Sequence, residues 1–282
     1  MKKILAFAMA AAMALSLAAC AGAGNNNGGS SSSKGNASSG SQGGSSASAP
    51  AALTTVEAGK LHMATNAAFP PYEMLTDDGQ FEGIDVEIAA KIAEKLGLEL
   101  VVDDQGFTAA ITAVGSGQSD IVMAGLTINE ERKETLDFTD TYATGIQVVI
   151  VKEGSDVTMD NLGEKMIGCQ KGTTGYQYAS DTPENGGYGE DHVIGYDNGA
   201  IAVEALKGGQ IDCVIIDNEP AKAYVAANDG LTLLEGTWVT EDYAIGIKKG
   251  NTQLLDAVNG ALKELIADGT VKGIVDKYIP AQ

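Results

Sequence analysis

The stretch Ala109–Gly125, "AAITAVGSGQSDIVMAG", has a counterpart later in the chain at Ile201–Asp217, "IAVEALKGGQIDCVIID". Each opens as an apolar helical run stopped by glycine, passes through Gly-Gln-x-Asp, and ends in a continuous apolar strand. Glycine just past the last turn is the expected helix cap, because it enters the left-handed conformation without a Cβ penalty. An apolar strand with no polar alternation predicts a parallel sheet covered on both faces. The chain therefore reads as two βα units of one design, with strands ending at Gly125 and Asp217.

The surrounding sequence extends each unit. Lys60–Thr65 reads as a first strand. "GIDVEIAAKIAEKLG" (Gly83–Gly97) is an amphipathic helix with Ile88, Ile92 and Leu96 on one face, and Leu98–Val102 is the next strand. In the second half, Met166–Cys169 is a strand, "TTGYQYAS" (Thr173–Ser180) opens a helix, and His192–Tyr196 is a further strand. "LLDAVNGALKELIADG" (Leu254–Gly269) and "TVKGIVDKYI" (Thr270–Ile279) are amphipathic helices. The fold class is α/β with two lobes. Open α/β sheets bind ligands beyond the carboxyl ends of their strands, so two such edges facing each other predict a cleft site.

The ends of the chain bear on location. Residues 1–19 read as a secretory signal, with Lys2 and Lys3 ahead of an apolar run too short for a comfortable membrane span. "LAAC" (Leu17–Cys20) resembles the lipobox of bacterial lipoproteins, which makes Cys20 the expected site of lipid attachment; two acyl chains suffice for stable anchoring. Residues 20–52 are then the lipidated cysteine and a Gly/Ser/Asn linker, whose thirty central residues span about 30 Å. The protein is expected on the outer face of the cytoplasmic membrane, held by the lipid alone, as a monomer. The formal net charge of −20 argues against nucleic acid and anionic membrane surfaces as partners. Cys169 and Cys213 lie in apolar runs and read as buried small hydrophobes, although export would permit a disulfide. With two further histidines and no ligand spacing, no metal site is expected, nor any cofactor.

The candidate cleft residues sit at the strand ends. They are Asn66, Phe69, Phe107, Gly125, Thr127 and Arg132 from the first half, and Gln170–Gly175 with Asp217 from the second. An amino-acid zwitterion fits this set. Its carboxylate wants a planar guanidinium fork (Arg132) and donors such as Thr127 and Thr174. Its ammonium wants a carboxylate (Asp217) and neutral acceptors, here the Gly125 carbonyl and the Thr127 hydroxyl. Asn66, Phe69, Phe107, Glu73 and Gln170 complete the candidate set. Each residue also has a plainer reading: Thr127-x-x-Glu130 as a capping box, Asn129 as an alternative cap with Arg132 exposed on the helix, Asp217 as a cap before Pro220, and the two phenylalanines as core.

From about Leu61 to Ile279 the chain resembles the polar amino-acid-binding family of bacterial ABC-transporter solute-binding proteins. The resemblance is carried by "ATNAAFPPYE" (64–73), "FEGIDVEIAAKIAEKLG" (81–97), "AGLTINEERKETLDFTDTY" (124–142), "QKGTTGYQYA" (170–179) and "NGALKELIADGT" (259–270). It implies a type II periplasmic-binding-protein-like fold: lobe 1 from 53–143 plus 244–282, lobe 2 from 144–243, and two hinge strands near Tyr142–Gln147 and Thr240–Ile245. It implies Arg132 and Thr127 at the ligand carboxylate, Asp217 at the ammonium, Gly172–Thr174 as the second lobe's binding loop, and Phe69 and Phe107 about the side chain. The implied partners are a free amino acid and a membrane permease. Many relatives carry aspartate where this chain has Asn66, so a neutral polar ligand such as glutamine is expected, with arginine, lysine or cystine as alternatives. A dehydratase of the same fold is the enzymatic rival, with Asp217, Glu73 and Lys171 as its acid–base candidates. A receptor sensor domain and a structural surface protein are further rivals.

Overall fold

A computed structural model describes residues 53–280. The expected signal segment, Cys20 and the linker lie outside the described residues. No helix among the described residues is long and apolar enough to cross a membrane.

The duplication is visible in the sheet. In the first half, β1 (Lys60–Thr65) pairs in parallel with β5 (Glu99–Asp104) on one side and β6 (Ile121–Val122) on the other. In the second, β8 (Ile167–Gln170) pairs in parallel with β9 (Val193–Tyr196) and β10 (Cys213–Asp217). Two long strands, β7 (Leu136–Lys152) and β12 (Val239–Lys248), run antiparallel between the halves. The resulting order is β5-β1-β6-β12-β7-β10-β8-β9, in which each half is the mirror of the other. The expected hinge stretches lie inside these two crossing strands, with Ala143 opposite Tyr243 and Gln147 opposite Val239. A short β11 (Leu231–Leu233) pairs with β7, and β2 (Ala68–Phe69), β3 (Glu73–Leu75) and β4 (Phe81–Glu82) form a small separate sheet.

The repeated Gly-Gln-x-Asp has the same mechanical role twice. Gly117 and Gly209 both take the left-handed conformation, at φ 83° and 73°. The following aspartates clip their strand to its parallel neighbour. Asp120 donates its N–H to the His62 carbonyl and accepts the His62 N–H on Oδ2; Asp212 does the same with Met166. These acids are structural, which explains their place in the repeat without any ligand.

Helices cover the sheet as periodicity predicts. α1 (Ile84–Leu96) ends at a left-handed Gly97 and buries Ile84, Ile88 and Ile92 completely against α7 (Thr252–Ala267) and α8 (Thr270–Tyr278). Each such side chain contributes about 1.5–3 kcal/mol on burial. α2 (Phe107–Ser116) packs on β1, β6 and β12, while α5 (Gly199–Lys207) and α6 (Asn218–Ala227) enclose the second half with Val148, Ile150, Val214 and Ile216. Cys169 and Cys213 are buried free thiols in a separate cluster with Val149 and Ile167, as the hydrophobic reading expects.

Of the two caps read from the sequence, the one used starts a single turn, α3 (Glu130–Lys133), because Leu136 onward already joins β7. Its cap is Asn129, whose Oδ1 accepts the Arg132 N–H at 2.8 Å, so Thr127 is free of the capping box.

Candidate functional site

The carboxyl ends of β1, β6, β8 and β10 converge on one cavity. Of the residues expected at a ligand, Asn66, Phe69, Glu73, Phe107, Gly125, Thr127, Arg132, Gln170, Thr173, Thr174 and Asp217 line it, whereas Lys171, Gly172 and Gly175 of the second half's loop do not.

Arg132 projects from α3 and is 5% exposed. One of its terminal nitrogens (Nη1) donates to the Thr127 carbonyl at 2.5 Å, and the other (Nη2) to the Gly172 carbonyl of the second half at 3.2 Å. Its guanidinium lies 5.3 Å above the Phe107 ring, a cation–π contact. Phe107 thus supports the arginine as well as walling the cavity. Burial pulls the guanidinium down to about 10, opposed by the charge of Glu241. Arg132 remains cationic at neutral pH.

Asp217 ends β10 and caps α6, and it is 1% exposed. Its Oδ2 accepts from the Ile146 N–H at 2.9 Å and the Tyr243 hydroxyl at 2.6 Å; its Oδ1 accepts from the Glu219 N–H at 3.2 Å. The capping reading and the binding reading hold together, because a helix start at a strand end is where the cavity lies. Burial raises Asp217 to about 6, against the hydrogen bonds that favour its charge. Among the described residues, neither Arg132 nor Asp217 forms an ion pair.

Two glycines shape the walls. Gly125 has φ 54°, and a Cβ there would stand 2.6 Å from the Phe69 ring. Its N–H donates to Asp85 Oδ2 at 3.0 Å, which fixes the loop. Gly145 on β7 leaves the space taken by the Tyr243 hydroxyl and Asp217; a Cβ would meet them at 2.2 and 2.6 Å.

At the other end, Glu73 is wholly buried, and neither of its oxygens has a hydrogen-bond partner. Burial, with Asp85 nearby, raises it well above the usual carboxylate range. Asn66 Oδ1 accepts from Gln170 Nε2 at 2.9 Å, and that same Nε2 reaches the Asp197 carbonyl at 3.3 Å. The oxygen of the Asn66 amide is therefore occupied by Gln170. The Thr127 and Thr174 hydroxyls both donate to Glu241 Oε2, at 3.2 and 2.9 Å, so their protons are committed within the protein.

Sequence reasoning missed the residues that the crossing strands supply: Gln147, Glu241 and Tyr243. A signal was present. In "TEDYAIGI" the apolar Tyr243, Ile245 and Ile247 alternate with other residues, and the same period of two places Glu241 on the inward face.

The model of bacterial extracellular solute-binding proteins, family 3, matches residues 61–281. The chain belongs to this family. It is similar to the L-cystine-binding protein TcyJ of Escherichia coli (31% identical, covering 80% of this chain and 84% of that protein). It is similar to the arginine-binding extracellular protein ArtP of Bacillus subtilis (32%, covering 79% and 87%). Among solved structures it resembles an ancestral arginine-binding protein bound to glutamine (36% identical, TM-score 0.73, covering 80% of this chain and all of that one). Membership fixes the two-lobed type II fold and an exported solute-binding protein in place of an enzyme. The dehydratase alternative is set aside on that ground.

Proposed function

We propose that the protein captures one free polar L-amino acid between its halves and delivers it to an ABC permease. The observation that carries this is a pair of opposite charges, Arg132 and Asp217, both buried, both without an ion-pair partner among the described residues, and both lining one cavity. Buried charges are costly unless paired, and the two poles of an α-amino acid supply the missing partners. The remaining Arg132 donors take the carboxylate, and Asp217 with the Gly125 carbonyl takes the ammonium.

For the side chain, the geometry favours a cation such as arginine over the neutral ligand expected from Asn66. Glu73 is buried at that end beside Asp85, and a cationic side chain placed against it would favour its ionised form. Glutamine is the second reading: the Asn66 amide nitrogen makes no hydrogen bond among the described residues and suits a ligand carbonyl. We also propose that Cys20 carries a lipid anchor and that the protein is a monomer.

A melting-temperature screen against the common amino acids tests the reading. A ligand at about 100 times its Kd adds about 2.7 kcal/mol of stability. Arginine is expected to give the largest shift. No shift with any amino acid would end the proposal; a shift with glutamine alone would restore the neutral ligand.

A further inference from the structure

Glu241 stands inside the anion end of the cavity but has no part in the grip just described. It is 5% exposed on β12. Its Oε2 accepts three hydrogen bonds: from Thr127 Oγ1 at 3.2 Å, Thr174 Oγ1 at 2.9 Å and Gln147 Nε2 at 3.0 Å. Those donors come from the loop after β6, the first turn of α4 (Thr174–Ser180), and β7. Its Oε1 is buried without a partner. The Glu241 charge acts on Arg132, yet the two are not within ion-pair distance.

A hydroxyl has one proton to donate. The protons of Thr127 and Thr174 are spent on Glu241, so a ligand carboxylate on Arg132 finds these donors taken and a second negative charge beside it. Like charges placed side by side in a desolvated site weaken binding. A glutamine at this position would keep the shape and the acceptor oxygen and would add a donor.

Building on the proposed amino-acid grip, we propose that Glu241 is an affinity-setting residue: its carboxylate, held by Thr127 and Thr174, places a like charge beside the ligand α-carboxylate in the anion subsite. The residue weakens capture. In a protein that must hand its cargo on, most of such an effect falls on the dissociation rate.

The test is a cycle between protein and ligand, which isolates one pairwise interaction. The full chain and Glu241→Gln are titrated by calorimetry with L-arginine and L-argininamide, or with L-glutamine and its α-amide if glutamine binds more tightly. The expected result is tighter binding of the free amino acid by Glu241→Gln, with the preference for carboxylate over carboxamide enlarged by about tenfold or more. An equal or smaller preference in the variant overturns the inference while leaving the amino-acid reading intact. Absence of binding to the unmodified protein overturns both. Thermal melting checks that the variant folds. Should it not, Glu241→Ala carries the same cycle, and if neither folds, Glu241 is a folding residue and the proposal fails.

Discussion

Replacing Asp217 by asparagine separates its binding role from its role as a helix cap. Burial moves this carboxyl from 3.8 to about 6. At ~1.4 kcal/mol per pKa step, keeping it ionised inside the fold costs about 3 kcal/mol at neutral pH. The sign follows from the raised value: the cost is present above about 6 and disappears below 3.8. Asp217→Asn removes that cost. The amide has one oxygen, which can stay under the Ile146 N–H and the Tyr243 hydroxyl. Its NH2 then faces the Glu219 N–H, and the lost bond costs about 1–3 kcal/mol. The free variant is therefore expected to be between unchanged and about 2 kcal/mol more stable. Binding moves the other way. The ligand ammonium loses its buried partner, which costs about 3–5 kcal/mol, or roughly 10²–10⁴-fold in Kd. Denaturant unfolding of the free variant and calorimetric titration with arginine and glutamine measure the two quantities. Binding within tenfold of the unmodified protein would refute the argument, as would a stability loss of more than ~2 kcal/mol, which would make Asp217 chiefly a cap.

Further outcomes are expected at other positions. Because the grip needs Asp217 ionised, affinity is expected to fall about tenfold between pH 7 and pH 5 when followed by calorimetry, and a flat profile would contradict the assignment. Arg132→Lys keeps the charge but not the fork or the bonds to Thr127 and Gly172; a loss of about 10²-fold in affinity is expected, and near-normal binding would show that charge alone suffices. Gly145→Ala forces Tyr243 and Asp217 apart, so melting temperature and affinity should both drop, whereas an unaffected protein would mean that the crossing strands adjust freely. Glu73→Gln is expected to shift preference from arginine towards glutamine in competition titrations; an unchanged ratio would remove Glu73 from the side-chain subsite.

The legibility of this chain was uneven for physical reasons. The repeated glycine, aspartate and apolar strand exposed the two halves, because caps and parallel strands leave local marks in a sequence. The cavity wall followed from strand ends, so most of the expected residues lie there. The hydrogen bonds were not legible. Whether the Thr127 proton goes to a ligand or to Glu241 depends on residues 114 positions apart meeting across the sheet. Likewise, nothing local foretold that Gln170 would satisfy Asn66, 104 residues away, and so alter the side-chain argument. The shortness of α3 was missed because the helix pattern of "EERKETL" overlaps the start of a strand that tertiary pairing extends to Leu136.

The crystal structure of the protein bound to the amino acid that gives the largest melting shift tests the central claim most directly. The account predicts the α-carboxylate within about 3 Å of the Arg132 guanidinium and the α-ammonium within about 3 Å of Asp217. A ligand held elsewhere in the cavity, with Arg132 and Asp217 both turned away from its charged ends, would contradict it.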